Sequence, residues 1–368
     1  MTTSPVPHVV HVTGARPNFP KAAPVISALA ALGVRQVLVH TGQHYDPVMS
    51  EVFFQQLGLP EPDINLGVGS GSHASQTAKV MVALEEMFLA TPPDLVVVYG
   101  DVNSTVAASL VAAKLHIPVA HVEAGLRSFD RDMPEEVNRV VTDSLADLLF
   151  TTSPDANVHL GAEGVAEPKI HFVGNPMIDT LLSNLDTFDA PAVCAELGID
   201  EPYVVATLHR PSNVDDPAQA AAIVAALHQV ADLTRVVIPL HPRGRDSFAA
   251  AGLMDHASIT VIEPLGYVEF IGLVRGSSAV ITDSGGVQEE TTMLGIPCLT
   301  LRPNTERPVT ITHGTNRLVT HTDLLDHLRP ILDGSTTFDG TTPPLWDGHA
   351  GTRIAAVIAA FIGRHDGM

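Results

Sequence analysis

The feature that most limits what this chain can fold into is an alternation. Short runs of β-branched apolar residues recur, each followed by an Ala-rich stretch of helical length. Leu95–Tyr99 (LVVVY) leads to a helix over 103–115, and Pro118–Val122 (PVAHV) leads through a turn to a helix start at Pro134. Runs that are apolar on both faces suit parallel strands covered by helices on either side. Matching runs are His8–Thr13, Gln36–His40, Leu148–Thr152 and Ile170–Gly174 in the first half. In the second half they are Tyr203–Thr207, Arg235–Leu240, Ser258–Ile262, Ser278–Thr282 and Pro297–Leu301. The pattern predicts an α/β chain of two Rossmann-like, doubly wound domains facing a cleft, and 368 residues are enough for both. The expected division is 1–175, 176–349 and a terminal helix, 350–368, that crosses back to the first domain.

Ligands of such sheets sit beyond the carboxyl ends of the strands. Asp101 follows the first run at Gly100, Glu123 follows the second, and Glu135 and Glu136 follow Pro134. Two readings compete for each acid. Asp101 could merely cap the helix 103–115, and Glu135 and Glu136 could merely favour a helix dipole. Acids at two strand ends and one helix start would also converge on one crevice, which suits proton-transfer chemistry. Arg16 and Lys21 flank a Gly-containing strand-to-helix turn, where a cation in the first helical turn runs against the dipole preference; they read equally as an anion site or as two solvated surface charges. In the second half, Ser284-Gly285-Gly286 opens a helix with no bulky side chain, so backbone N–H groups can approach a phosphate. Glu290 lies one to two turns further on, where it can accept from ribose hydroxyls. Arg307 could add a cation, Phe270 could pack in the core or stack on a base, and His209, structural or functional, ends a strand facing the same cleft.

Charge and cysteine content narrow the partners. A formal net charge of −21 argues against nucleic acid or an anionic membrane, both of which need a basic face. The two cysteines, Cys194 and Cys298, form no metal or disulfide pattern, and the 18 histidines show no HExxH spacing. No signal peptide or transmembrane run is evident, so a soluble protein of a reducing cytoplasm is expected.

Seven motifs then carry a specific resemblance. They are GARPNFPKAAPV (14–25), TGQHYD (41–46), GDVNSTVAASL (100–110), HVEAGLRSFDRDMPEEVNR (121–139), GNPMIDT (174–180), TLHRPSN (207–213) and DSGGVQEE with ERP (283–290, 306–308). In these the chain resembles the non-hydrolysing UDP-N-acetylglucosamine 2-epimerases. The resemblance implies a glycosyltransferase-B architecture, a homodimer and no metal or nicotinamide cofactor. It implies reversible epimerisation of UDP-GlcNAc to UDP-ManNAc, by elimination of UDP to 2-acetamidoglucal and its re-addition, in supply of cell-surface polysaccharide precursors. It makes Asp101, Glu123 and Glu135 the acid/base groups, with His209 near the diphosphate. It assigns UDP binding to Arg16, Lys21, Leu265, Phe270, Ser284, Gly285, Gly286, Glu290 and Arg307. Gln43, His44, Glu136, Arg210 and His241 match a second, activating substrate site of some members, but Ser70–His73 lacks the arginine of that site. Asn18 also stands where many members have Glu. Three other readings share these motifs: a hydrolysing relative that releases ManNAc and UDP, a glycosyltransferase, and a non-catalytic nucleotide-sugar binder. A modified UDP-2-acetamido sugar is a further substrate within the family.

Overall fold

The computed structural model describes residues 8–42, 56, 58–240, 242–336, 338 and 341–365. They fall into two compact units, the first comprising the chain up to Asn184 together with the segment from Pro344 onward, the second Leu185–Pro343. Each is a parallel sheet interleaved with helices.

Among the described residues the first unit holds seven strands: β1 (His8–Thr13), β2 (Arg35–His40), β3 (Ile64–Asn65), β4 (Leu95–Tyr99), β5 (Val119–Ala124), β6 (Leu148–Thr151) and β7 (Ile170–Phe172). Their order is β3-β2-β1-β4-β5-β6-β7, and every pairing is parallel. Order reverses between β1 and β4, the place where doubly wound sheets open a crevice. All five residues of β4 are fully buried, as a central strand covered on both faces requires. β3 was not foreseen: two residues carry no periodicity to read.

The segment beyond Pro344 is tied into this unit. Trp346 is 1% exposed and donates its indole N–H to the Thr152 carbonyl at 2.9 Å. Asp179 accepts from Ala350 N at 3.1 Å and Gly351 N at 2.7 Å, so it caps the helix Ala350–His365. A Cβ on Gly351 would lie 2.7 Å from the Pro24 backbone, which lets that helix sit tightly on the helix Phe19–Ala31.

The second unit holds β8 (Tyr203–Thr207), β9 (Arg235–Pro239), β10 (Ile259–Ile262), β11 (Ala279–Thr282), β12 (Cys298–Leu301) and β13 (Asn316–Val319). Their order is β10-β9-β8-β11-β12-β13, again all parallel, with the reversal between β8 and β11. Alternate residues feed two cores. Val204, Ala206, Val236, Ile238, Ala279 and Ile281 join one cluster, while Tyr203, Val205, Val237 and Val280 join another. β13 escaped the sequence reading because it is a four-residue edge strand with Arg317 exposed on it.

Asp179→Ala should destabilise the first unit by about 1–2 kcal/mol, the usual worth of a lost N-cap. Urea unfolding followed by fluorescence of Trp346, the single tryptophan, measures this; an unchanged midpoint would contradict the capping role.

Candidate active site

At the β1–β4 switch point, two turns meet. After β1, the carboxamide of Asn18 accepts from Gly14 N at 3.0 Å and Ala15 N at 3.1 Å, and donates to the Tyr99 carbonyl at 2.8 Å. Asn18 therefore pins the β1 turn to the end of β4. Gly14 has no room for a side chain, since a Cβ would lie 2.2 Å from Ser104 Oγ. Arg16 is half-exposed on this turn. Lys21, in the first turn of the helix Phe19–Ala31, is buried and forms an ion pair with Glu123.

Glu123 was expected in the turn after its strand, but it lies within β5. The β5–β6 register shifts between Val122 and Ala124, and Glu123 takes φ +73°. A left-handed glutamate inside a strand is a strained bulge, of a kind that costs about 1–3 kcal/mol and clusters at functional sites. Gly100, at φ +64°, comes within van der Waals range of the pair: a Cβ there would sit 3.0 Å from Glu123 Oε2 and 3.1 Å from Lys21 Nζ.

Asp101 does not cap the following helix, whose N-cap is Val102. Its carboxylate instead meets Arg139 Nη1 at 2.5 Å, and its carbonyl accepts from Asn138 Nδ2 at 2.8 Å. Arg139, on the helix Pro134–Leu145, also binds Glu136 at 2.9 Å. Glu136 is buried and accepts from Ser128 N at 2.9 Å, Ser128 Oγ at 3.0 Å and Phe129 N at 3.0 Å. Burial pushes its carboxyl up, but the Ser128 N–H and Arg139 outweigh that and hold it below the usual range. Glu136 is thus an internal strut of the 128–129 loop. Glu135 is half-exposed one position earlier on the same helix. The sequence reading overlooked Arg139, although its position three residues after Glu136 on a helix places the two side chains together.

The second unit repeats the arrangement at the β8–β11 switch point. Asp283, fully buried after β11, accepts from His209 N at 3.1 Å, Arg210 N at 3.0 Å and Asn213 Nδ2 at 3.0 Å. Its Oδ1 also meets His209 Nδ1 at 3.0 Å. Burial opposes ionisation of Asp283, yet His209 and the Arg210 N–H prevail and set its carboxyl below the usual range. The carboxylate fixes the tautomer of His209, with Nδ1 as donor and Nε2 turned away from Asp283. In the sequence Asp283 stands out only as the first residue of the DSGGVQEE motif. Its position at the switch point was the available signal.

Ser284 precedes the helix Gly285–Leu294. A Cβ on Gly285 would lie 2.4 Å from Arg307 Nη1, so this guanidinium rests against the first helical residue, close to Gly286. Arg307 is buried and paired with Glu306 and, at 3.0 Å, with Glu289. Glu306 also meets Arg302 at 2.6 Å and Arg210 at 3.6 Å. The guanidiniums of Arg210, Arg302 and Arg307 gather around Glu306 and Glu289 beside a helix N-terminus, whose free N–H groups favour an anion. Glu290 is buried nearby, and its charge helps burial push the Tyr267 hydroxyl well above the usual range. Leu265 and Phe270 are half-buried against the cluster that contains Val205, Val237 and Val280. Gln43, His44 and His241 lie outside the described residues.

The geometry can be set beside known proteins. A family model described as UDP-N-acetylglucosamine 2-epimerase matches residues 28–359. The UDP-N-acetylglucosamine 2-epimerase of Methanocaldococcus jannaschii is 40% identical over 359 residues, covering 94% of this chain and 97% of that protein. The UDP-2,3-diacetamido-2,3-dideoxy-D-glucuronate 2-epimerase of Pseudomonas aeruginosa is 41% identical over 359 residues, covering 95% of this chain and 99% of that one. Among solved structures, the Methanocaldococcus jannaschii UDP-GlcNAc 2-epimerase in complex with UDP-GlcNAc and UDP matches with a TM-score of 0.90 at 39% identity. That match covers 96% of this chain and 99% of the other.

The lowered carboxyls give a signed pH dependence. Depressed folded-state values mean that the stability from Asp283 and Glu136 is fully present above the unfolded carboxylate range and lost as pH falls through the folded values. Urea unfolding followed by circular dichroism should therefore show stability falling below about pH 4. Asp283→Asn should be less stable at pH 7 and show a shallower fall. An equal slope in variant and wild type would contradict the assignment.

Proposed function

The chain belongs to the UDP-N-acetylglucosamine 2-epimerase family, and from that premise we propose that it inverts C2 of UDP-GlcNAc reversibly, without net hydrolysis, to give UDP-ManNAc. A base takes the C2 proton while the C1–O bond breaks and its electron pair leaves with UDP. The 2-acetamidoglucal stays bound. UDP then returns through its phosphate oxygen to C1, and an acid delivers a proton to the opposite face of C2. Two faces require at least two groups, because one carboxylate reaches only one of them.

The observation that carries this reading is the placement of Glu123, on Lys21, and Asp101, on Arg139, at the ends of adjacent strands. In our reading Asp101, Glu123 and Glu135 exchange the protons. The cations beside Glu123 and Asp101 offset the cost of burying their charge and hold their geometry. His209, oriented by Asp283, stabilises charge on the departing diphosphate. Ser284, Gly285, Gly286 and Arg307 receive that diphosphate through N–H groups and a cation, worth most where water is excluded. Glu290 takes the ribose hydroxyls, Arg16 adds a cation, and Leu265 and Phe270 offer an apolar surface to uracil. Its product would serve as a precursor of cell-surface polysaccharide.

A second reading changes only the sugar. The Pseudomonas aeruginosa relative, named for a UDP-2,3-diacetamido glucuronate, is as similar as the UDP-GlcNAc enzyme of Methanocaldococcus jannaschii. The same acids would then invert C2 of a 3-acetamido uronic acid.

Incubation with each UDP-sugar, with products separated as nucleotide sugars and free sugars, decides among these outcomes. UDP-ManNAc from UDP-GlcNAc is expected, and free ManNAc as the main product would overturn the non-hydrolysing reading. Glu123→Gln should lose about 10²–10⁴-fold in turnover while still binding UDP, the scale of one acid/base group. Lost UDP binding with turnover of the bound fraction intact would contradict that role.

A further inference from the structure

Behind the two site acids lies a buried network that the proton transfers do not use. His121, fully buried on β5, places Nδ1 2.6 Å from Asp143 Oδ1 and Nε2 2.8 Å from the Gly100 carbonyl. The ring thus bridges the Asp143 carboxylate and the Gly100 carbonyl. The other oxygen of Asp143 accepts from Gly125 N at 3.1 Å and pairs with Arg127 Nη1 at 2.7 Å. Arg127 is held in turn by Glu163, through Nε at 2.8 Å and Nη2 at 2.6 Å.

The connectivity is specific. Gly100 precedes Asp101 and Gly125 follows Glu123 by two, so the two oxygens of one carboxylate reach the backbone beside both acids. Each anchored residue is a left-handed glycine, Gly100 at φ +64° and Gly125 at φ +78°. Gly125 has no room for a side chain, since a Cβ there would lie 2.6 Å from the Ala156 carbonyl. Asp143 also shares the helix Pro134–Leu145 with Glu135, Glu136 and Arg139.

We propose that Asp143 is a positioning residue that sets the separation of Asp101 and Glu123, acting on one through His121 and Gly100 and on the other through Gly125. It touches neither substrate nor reacting atoms. A carboxylate suits the task, since it can accept in several directions at once while pairing with the Arg127 guanidinium. Burial works against its charge, and His121 and Arg127 outweigh burial and set its carboxyl below the usual range.

This role rests on the epimerase reading, and the test separates the two. Full-length wild type, Asp143→Asn and His121→Gln are assayed for turnover of UDP-GlcNAc and of the UDP-diacetamido uronate, for UDP affinity by calorimetry and for unfolding midpoint. In Asp143→Asn, kcat should fall about 100-fold with KM within about threefold, as expected when groups that act only in the transition state are displaced. UDP affinity should not change. His121→Gln keeps Asp143 and retains an N–H able to reach the Gly100 carbonyl, so it should lose only about tenfold. Wild-type kcat in Asp143→Asn overturns the role, as does a lowered midpoint with the folded fraction fully active. If neither variant folds, the network serves only the fold, and the role is equally overturned. A wild type that leaves both sugars unchanged would instead defeat the epimerase reading, and this role with it.

Discussion

The Lys21–Glu123 ion pair is the constraint from which the rest of the first unit's site follows. Both side chains are buried, at 5% and 3% exposure, and neither charge could be left there alone without a cost of several kcal/mol. Keeping them together fixes the start of the helix Phe19–Ala31 against the end of β5. Beside it stands a glycine, Gly100, whose left-handed φ of +64° suits no other residue as well and where a Cβ would press on the pair. The pairing also bends β5, since Glu123 reaches Lys21 from a left-handed bulge. Asp101 is handled likewise by Arg139, which Glu136 holds from behind. Acids of the first unit thus come with their counter-charges already in place, and what remains is a pair of carboxylates presented at adjacent strand ends.

The second unit applies the same topology to a different task. Its β8–β11 reversal repeats the β1–β4 reversal of the first. Where the first places acids on cations, the second gathers arginines around glutamates beside the start of a helix. That setting suits a diphosphate leaving group, whose charge rises as the sugar bond breaks. Asp283 does for His209 what Asn18 does for the β1 turn: a buried polar side chain satisfies several backbone donors and so determines one loop shape.

Much of this was legible in the sequence, and for identifiable reasons. Strands such as β4 and β8 announce themselves because a doubly covered strand must be apolar throughout, and their bounds agree with the residues. The acids Asp101 and Glu123 stand out because small residues flank them at strand ends. What the sequence hid was partnership. Nothing local says that Lys21 turns to Glu123 across 102 positions of sequence rather than to an external anion. Glu136 reads like Glu135, yet the helix turns one inward as a strut and leaves the other half-exposed. Arg139, Asp143 and Asp283 went unread because their importance comes from donors brought in by other elements. The bulge at Glu123 is likewise a tertiary outcome, as nothing in VAHVEAG specifies an extra residue.

The central claim is that these side chains exchange the hydrogen at C2 of a UDP-sugar while UDP departs and returns. Incubating the protein with UDP-GlcNAc in deuterated water and recording the proton spectrum of both epimers tests it directly. The account predicts deuterium at C2 of UDP-ManNAc and, as the reaction reverses, at C2 of recovered UDP-GlcNAc, with no other carbon labelled. Epimer that forms with its C2 hydrogen retained would contradict it.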